Sequence, residues 1–177
     1  MPIAILACLA SGAIFGRAPP PPPPSAEFIP RAVDASHKLS AYRPECACDG
    51  KDNTYWLVPG GQRMEMMSRD KWIVLDLGEN MAPVSAVSLR GVVDSFGPAR
   101  VILEASDSPS GPWRCIRRCR ALGTPLRWQR IELTETNEPA LSSRFVRLYI
   151  RREGHATFRH RLHGVRFHPA CKPGEPD

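Results

Sequence analysis

Three groups of residues in this chain are close enough in sequence to do chemistry together. The segment Asp49-Gly50-Lys51-Asp52-Asn53-Thr54 is rich in hard oxygen donors of the kind that hold a divalent cation in a loop. Cys46-x-Cys48 and Cys115-x3-Cys119 bring four thiols into two short spans, but the first spacing is tighter than structural zinc sites use. With Cys8 and Cys171 there are six cysteines, and loss of Cys8 in a processed leader would leave five, an odd number. One or two disulfides or scattered reduced thiols are the simpler readings. His155, His160, His163 and His168 have no recognised zinc spacing either. Catalytic chemistry finds no foothold. No nucleophile elbow, phosphate loop, His-Glu-x-x-His or dinucleotide fingerprint occurs, and Asp49 and Asp76 have loop or turn duties without a partner carboxylate. The expectation is a protein that is not an enzyme and needs no cofactor.

The elements that must position such residues read as strands. Short runs rich in Val, Ile and Leu recur at 72–77, 84–89, 100–105, 128–133, 144–150 and 162–167. Clusters of Gly, Pro, Asn, Asp and Ser separate them, as at 78–80, 94–98, 107–112 and 134–139. Val146, Leu148 and Ile150 alternate with Arg147, Tyr149 and Arg151, the period of a half-buried strand. No window shows a clean helical period. These features predict an all-β antiparallel sandwich.

The 177 residues leave room for one ordinary domain with appendages. Residues 1–16 form an apolar segment with the look of a signal or targeting sequence, though without a basic start. Residues 17–30 form a linker whose six consecutive prolines, Pro19 to Pro24, make a stiff polyproline II spacer. The domain is expected over 31–168, followed by a tail at 169–177. Secretion is the leading expectation for location, with an organelle or the cytoplasm as alternatives, and no transmembrane span is expected in a mature chain. The net charge is +6, but its distribution is uneven. Between Arg114 and Arg166 there are thirteen arginines, four glutamates and no lysine or aspartate. Such a field suits an acidic glycan, an anionic surface or an acidic protein. Nucleic acid is disfavoured, because the arginines interleave with core strand positions and few aromatics accompany them.

Several short signatures then fall in one order: Ala35-Ser36, Cys48-Asp49-Gly50 through Tyr55-Trp56, Trp72-Ile-Val-Leu-Asp-Leu-Gly78, Val84-x-x-Val87-x-Leu89, Ser106 through Gly111-Pro112-Trp113, Arg144-Phe-Val-Arg-Leu148 and Leu162-His-Gly164. Together they resemble the discoidin family, also called coagulation-factor type C domains, within the galactose-binding-like jelly rolls. The resemblance implies a fold more than a ligand. It gives Trp56, Trp72 and Trp113 structural roles. It also implies calcium in the Asp49 to Thr54 loop, held by Asp49, Asp52 and Thr54, with a further carboxylate just before the Leu-x-Gly. In this chain that position is Arg161, which argues against calcium and for an arginine acting as its structural substitute on Asp49 or Asp52.

The resemblance further implies binding by loops at one end of the barrel. The candidates are 57–70, 93–100 and 152–161, with Arg63, Met66, Arg69, Phe96, His155, Phe158, Arg159 and His160 as contact residues. The function expected is a non-catalytic recognition module for a glycan or anionic surface. The alternative is an intracellular or organellar subunit that uses the same jelly roll to dock on proteins.

Overall fold

The computed structural model describes residues 27–58, 71–93, 99–122, 126–133, 140–151 and 159–170. Nine strands are formed among them: β1 (Arg31–Ala35), β2 (Trp56–Val58), β3 (Lys71–Asp76), β4 (Val84–Val93), β5 (Ala99–Ser106), β6 (Arg114–Ala121), β7 (Trp128–Glu132), β8 (Phe145–Arg151) and β9 (His160–Pro169). A single 3-10 turn, Pro44–Ala47, is the sole helical element among the described residues. The strands make two antiparallel sheets. One has five strands in the order β1-β3-β8-β5-β6, and the other has four in the order β2-β9-β4-β7.

Alternation explains the layering. On β8, Val146, Leu148 and Ile150 are fully buried, and their register partners on β3 and β5 include Ile73, Leu75, Val101 and Leu103, also buried. Across the sandwich, Trp56, Val58, Val87, Leu89, Leu162, Val165 and Phe167 complete one continuous core. Trp56 is wholly enclosed, and its indole N–H donates to the His37 carbonyl at 2.9 Å, which satisfies the polar edge of a buried ring. Trp72 and Trp113 are only half-buried. Trp113 lies under the Arg147 guanidinium, 4.5 Å from the ring centre.

Ordered packing begins earlier than composition suggests. Phe28 exchanges backbone hydrogen bonds with Phe167 at 3.0 and 2.9 Å, and their rings stack at 5.9 Å. Glu27 accepts from Arg166 at 3.0 Å. Residues 27–30 therefore belong to the sandwich and not to a linker. At the other end of the chain, the Ala170 N–H donates to Pro83, carrying the fold past residue 168.

Two close approaches fix the backbone. Gly91 lies at a register shift between β4 and β9, where an added Cβ would stand 2.7 Å from the Arg161 carbonyl oxygen. Because that neighbour is backbone, Gly91→Ala is expected to destabilise the protein by about 2 kcal/mol. Urea denaturation of the variant checks this. The turn after β3 uses Gly78 at φ +96°, and its N–H donates to Asp76 at 2.9 Å.

Candidate ligand-binding end of the sandwich

The register fixes where the strands stop. Val58 and Val93 both pair with His160, so β2 and β4 end where β9 begins. In the larger sheet Lys71 pairs with Ile150, Arg100 with Arg151 and Ala99 with Ala121. The strand ends from which the three candidate loops leave, and to which they return, therefore lie together at one end of the sandwich. Arg63, Met66, Arg69, Phe96, His155 and Phe158 lie outside the described residues. Of the eight contact residues expected from sequence, Arg159 and His160 can be placed.

They part company. Arg159 is exposed at the rim. His160 is not a loop residue: it opens β9, fully buried, with its ring edge-on to Trp56 at 5.2 Å. Arg161 follows in the same strand, so the loop read as 152–161 runs two residues too far. The correction has a physical cause. Arg159-His160-Arg161 carries no apolar residue to announce a strand, and the pairing of His160 with both Val58 and Val93 holds it in the small sheet.

Under the rim lies an enclosed basic group. Lys71 is fully buried, and desolvation pushes its pKa down to about 8. Burial, reinforced by Lys71 and then His37, holds His160 well below the ordinary histidine value. His37 is lowered in the same way, by burial first and Lys71 second. Ser36 orders this corner: its hydroxyl accepts the Trp72 N–H at 3.0 Å and lies 3.0 Å from His37 Nδ1. Neither Lys71 nor His37 stands out in the sequence, since one opens a strand as its only charged residue before Asp76 and the other follows a short strand.

The oxygen-rich loop does not fit a divalent cation. Asp49 Oδ1 accepts the Lys51 N–H at 2.9 Å and the Thr54 hydroxyl at 2.8 Å, a self-contained turn. Asp52 is ion-paired with Arg90 of β4. Arg90 is thus a cation bound to this loop through Asp52, a partner the sequence did not point to. No group of three His, Cys, Asp or Glu among the described residues is placed to hold a metal. Chelation by EDTA is accordingly expected to leave the melting temperature unchanged, and added calcium not to raise it. A calcium-dependent rise in differential scanning fluorimetry would contradict this.

The outer face of the small sheet carries an aromatic row that the sequence reading did not single out. Tyr42 stacks on Tyr55 at 4.9 Å, and Tyr55 meets His163 at 5.0 Å. Beyond it Trp128 packs against Gly164, where a Cβ would stand 2.5 Å from the indole, and Arg166 covers the ring at 4.3 Å. Tyr42, Tyr55 and His163 thus pack on one another, and the Trp128 face is taken by Arg166. The signal that could have found them is the pair of tyrosines flanking the Asp-rich loop. Cys46, Cys48, Cys115 and Cys119 are free thiols, and burial, helped by Asp49 and Glu45, pushes the Cys48 thiol up to about 12.

No family model and no curated protein matches this sequence. Solved structures do. A chitosan-binding module from a chitosanase/glucanase of Paenibacillus sp. IK-5 superposes with a TM-score of 0.59 at 19% identity, covering 80% of this chain and 96% of that one. The CBM32 module of AlyQ, solved with 4,5-unsaturated mannuronic acid, gives 0.60 at 17% identity, covering 82% and 99%. A CBM32 module from a family 31 glycoside hydrolase of Clostridium perfringens gives 0.56 at 13% identity, covering 80% and 91%. This chain has the galactose-binding-like jelly-roll fold. The discoidin resemblance and the all-β expectation are thus both met at the level of fold, which carbohydrate-binding modules share.

Proposed function

We propose that this jelly roll is a non-catalytic carbohydrate-binding module that takes its glycan at the end where 59–70, 94–98 and 152–158 connect the two sheets. The observation that carries the reading is the fold match to whole binding modules, one a chitosan-binding module and one solved with 4,5-unsaturated mannuronic acid. Arg159 at the rim, with Arg63, Met66, Arg69, Phe96, His155 and Phe158 from the connecting segments, would make the contacts. His160 supports the rim from beneath, since it is enclosed and cannot reach a ligand. A sandwich core this continuous holds the strand ends rigidly, so that little conformational entropy is lost on binding. A glycan array probed with the folded chain tests this. Specific binding to a defined saccharide, weakened by Arg159→Ala, is expected.

The second reading, a docking subunit inside the cell, draws support from the four free thiols, which would be at risk of oxidation outside it. We favour export, to which the apolar segment 1–16 points. No helix among the described residues is long and apolar enough to cross a membrane. Localisation of a C-terminally tagged chain separates the two: recovery from the medium with a shortened N-terminus is expected, and retention in the cytosol supports the docking role.

A further inference from the structure

We infer that Ser88 is an activated nucleophile, a site at which this chain accepts a small acyl group from an ester or thioester. It lies on the outer face of the four-stranded sheet, away from the rim. Val87 and Leu89 point into the core, so Ser88 between them points outward. Along β4 it stands five residues before Val93, roughly 16 Å from the strand end at the rim.

Two distant segments converge on it. Ser88 Oγ lies 2.7 Å from His168 Nε2 on the neighbouring strand β9. Glu27 Oε1 faces the other ring nitrogen, Nδ1, at 3.7 Å. Glu27 is held there by Arg166 at 3.0 Å, and the next residue, Phe28, pairs with Phe167. A buried serine bonded to a histidine is by itself only a satisfied polar pair. The carboxylate changes its meaning. It favours the tautomer with the proton on Nδ1, which leaves the Nε2 lone pair to accept the Ser88 hydroxyl proton. Burial first, then Arg130, holds His168 below the ordinary histidine value, with Glu27 and Glu132 opposing and Arg166 adding to the fall. The ring is therefore neutral at pH 7 and able to take a proton. No motif announces this group, because Ser88 and His168 are 80 residues apart and Glu27 falls in the span read as a linker.

The register supplies the charge that such a reaction needs. Ser88 pairs with Arg166 on one side and with Arg130 on the other, so a guanidinium flanks the hydroxyl from each neighbouring strand. Arg166 uses a terminal nitrogen on Glu27, and Arg130 uses Nε on Glu132. A guanidinium carries more donors than either contact takes, so both can serve the oxygen that turns negative when an acyl carbon is attacked. Access sets the size of the group. Ser88 is 7% exposed, while the side chains of Arg130 and Arg166 are 47% and 36% exposed and can swing outward without moving the backbone. An acetyl group suits such an opening, and a long or aromatic acyl chain does not. In the transfer, Ser88 Oγ bonds to the acyl carbon while His168 Nε2 takes the hydroxyl proton. The bond from that carbon to the donor's oxygen or sulfur then breaks, and the leaving group takes the proton from Nε2. The products are O-acylated Ser88 and a free alcohol or thiol.

The full chain is incubated with p-nitrophenyl acetate and, separately, with an acetyl thioester of a simple thiol. After an acid quench, peptide mass spectrometry follows the adduct at each serine. Ser88 is expected to be acetylated at least about tenfold faster than exposed Ser40 and Ser142. His168→Gln should cut the Ser88 rate at least about tenfold, and Glu27→Gln, at an exposed position, about threefold. Between pH 7 and 8 the rate should change less than about twofold, because neutral His168 is already the base, where an unassisted serine would gain about tenfold. If His168→Gln folds poorly, the Glu27→Gln and pH readings still decide. Acetylation of Ser88 no faster than at the two control serines, indifference to both variants, or a tenfold rise with pH would overturn the proposal. Ser88→Ala should leave glycan-array binding unchanged, so failure here and failure of the rim reading are distinguishable.

Discussion

Asp76→Ala is expected to lower the stability by about 3 kcal/mol, or roughly 10 °C in melting temperature. Asp76 closes β3 almost fully buried, yet stays ionised because four donors converge on it. Arg144 contributes Nε at 2.8 Å and a terminal nitrogen at 3.0 Å, Arg31 a third bond at 3.0 Å, and Gly78 its backbone N–H at 2.9 Å. Removing the carboxylate deprives the Gly78 turn of its acceptor and lets go of two guanidinium groups that tie β1 and the start of β8 to the end of β3. Hydrogen bonds to charged groups are worth about 1.5–3 kcal/mol each, but Arg31 and Arg144 are exposed enough to regain water, which sets the lower total. Urea denaturation measures it. The acid limb follows from the same contacts. Arg144 first, then Gly78 and Arg31, hold the Asp76 carboxyl well below its ordinary value of 3.8. Its contribution is therefore present above that value and is lost as the pH falls below it.

Acidification from pH 7 to 5 is expected to lower the melting temperature by several degrees, and His160→Phe should flatten that fall. Burial holds folded His160 well below 6.5, while the unfolded chain protonates it near that value. The unfolded state thus binds more protons as the pH drops, and stability falls by about 1.4 kcal/mol per pH unit below roughly 6.5. His37, His163 and His168 are lowered too, each by burial first, and act in the same direction. Lys71 extends the trend upward. Its folded value of about 8 against 10.5 unfolded means that stability rises between those two pH values and that the full penalty applies below them. Phenylalanine keeps a ring against Trp56 at position 160. If the variant folds poorly, proton NMR titration of the wild-type His160 ring gives a second reading. The ring should remain neutral at pH 5, and a midpoint near 6.5 would contradict its enclosure.

Much of the fold was legible because it was written in alternation. The runs that became β3, β4, β5, β7, β8 and β9 carry apolar residues at every second place, or continuous apolar stretches bounded by Gly, Pro and Asn. Three strands were missed for three physical reasons. Strand β1 buries only two alanines, β2 is three residues long, and β6 reads Arg-Cys-Ile-Arg-Arg-Cys-Arg-Ala because an edge strand with a solvent-facing side needs little apolar patterning.

The proposed site rests, in the sequence, on connections and not on contacts. Turn-rich spans between strands marked the loops, and the order of the strands brought their ends together. Whether a polar residue at a loop edge is exposed depends on pairing partners far along the chain. His160 meets Val58 and Val93, and Asp52 meets Arg90 thirty-eight residues away, and no local pattern encodes either. Arg161 looked like the cation for the oxygen-rich loop because it stood where the resemblance placed a carboxylate. The β4–β9 register sets Arg90 opposite Gly164, from where it reaches Asp52, a contact that no position in the resemblance announced.

The most direct measurement is a backbone amide NMR titration of the full chain with the best saccharide from the array. Perturbations should cluster at Val58, Lys71, Val93, Ala99, Arg151 and Arg159, where the strands of both sheets terminate, and in the segments that join them. Perturbations centred instead on the opposite end, around Gly78, Ser108 and Leu141, or product formation from the sugar during the titration, would contradict a non-catalytic binding rim.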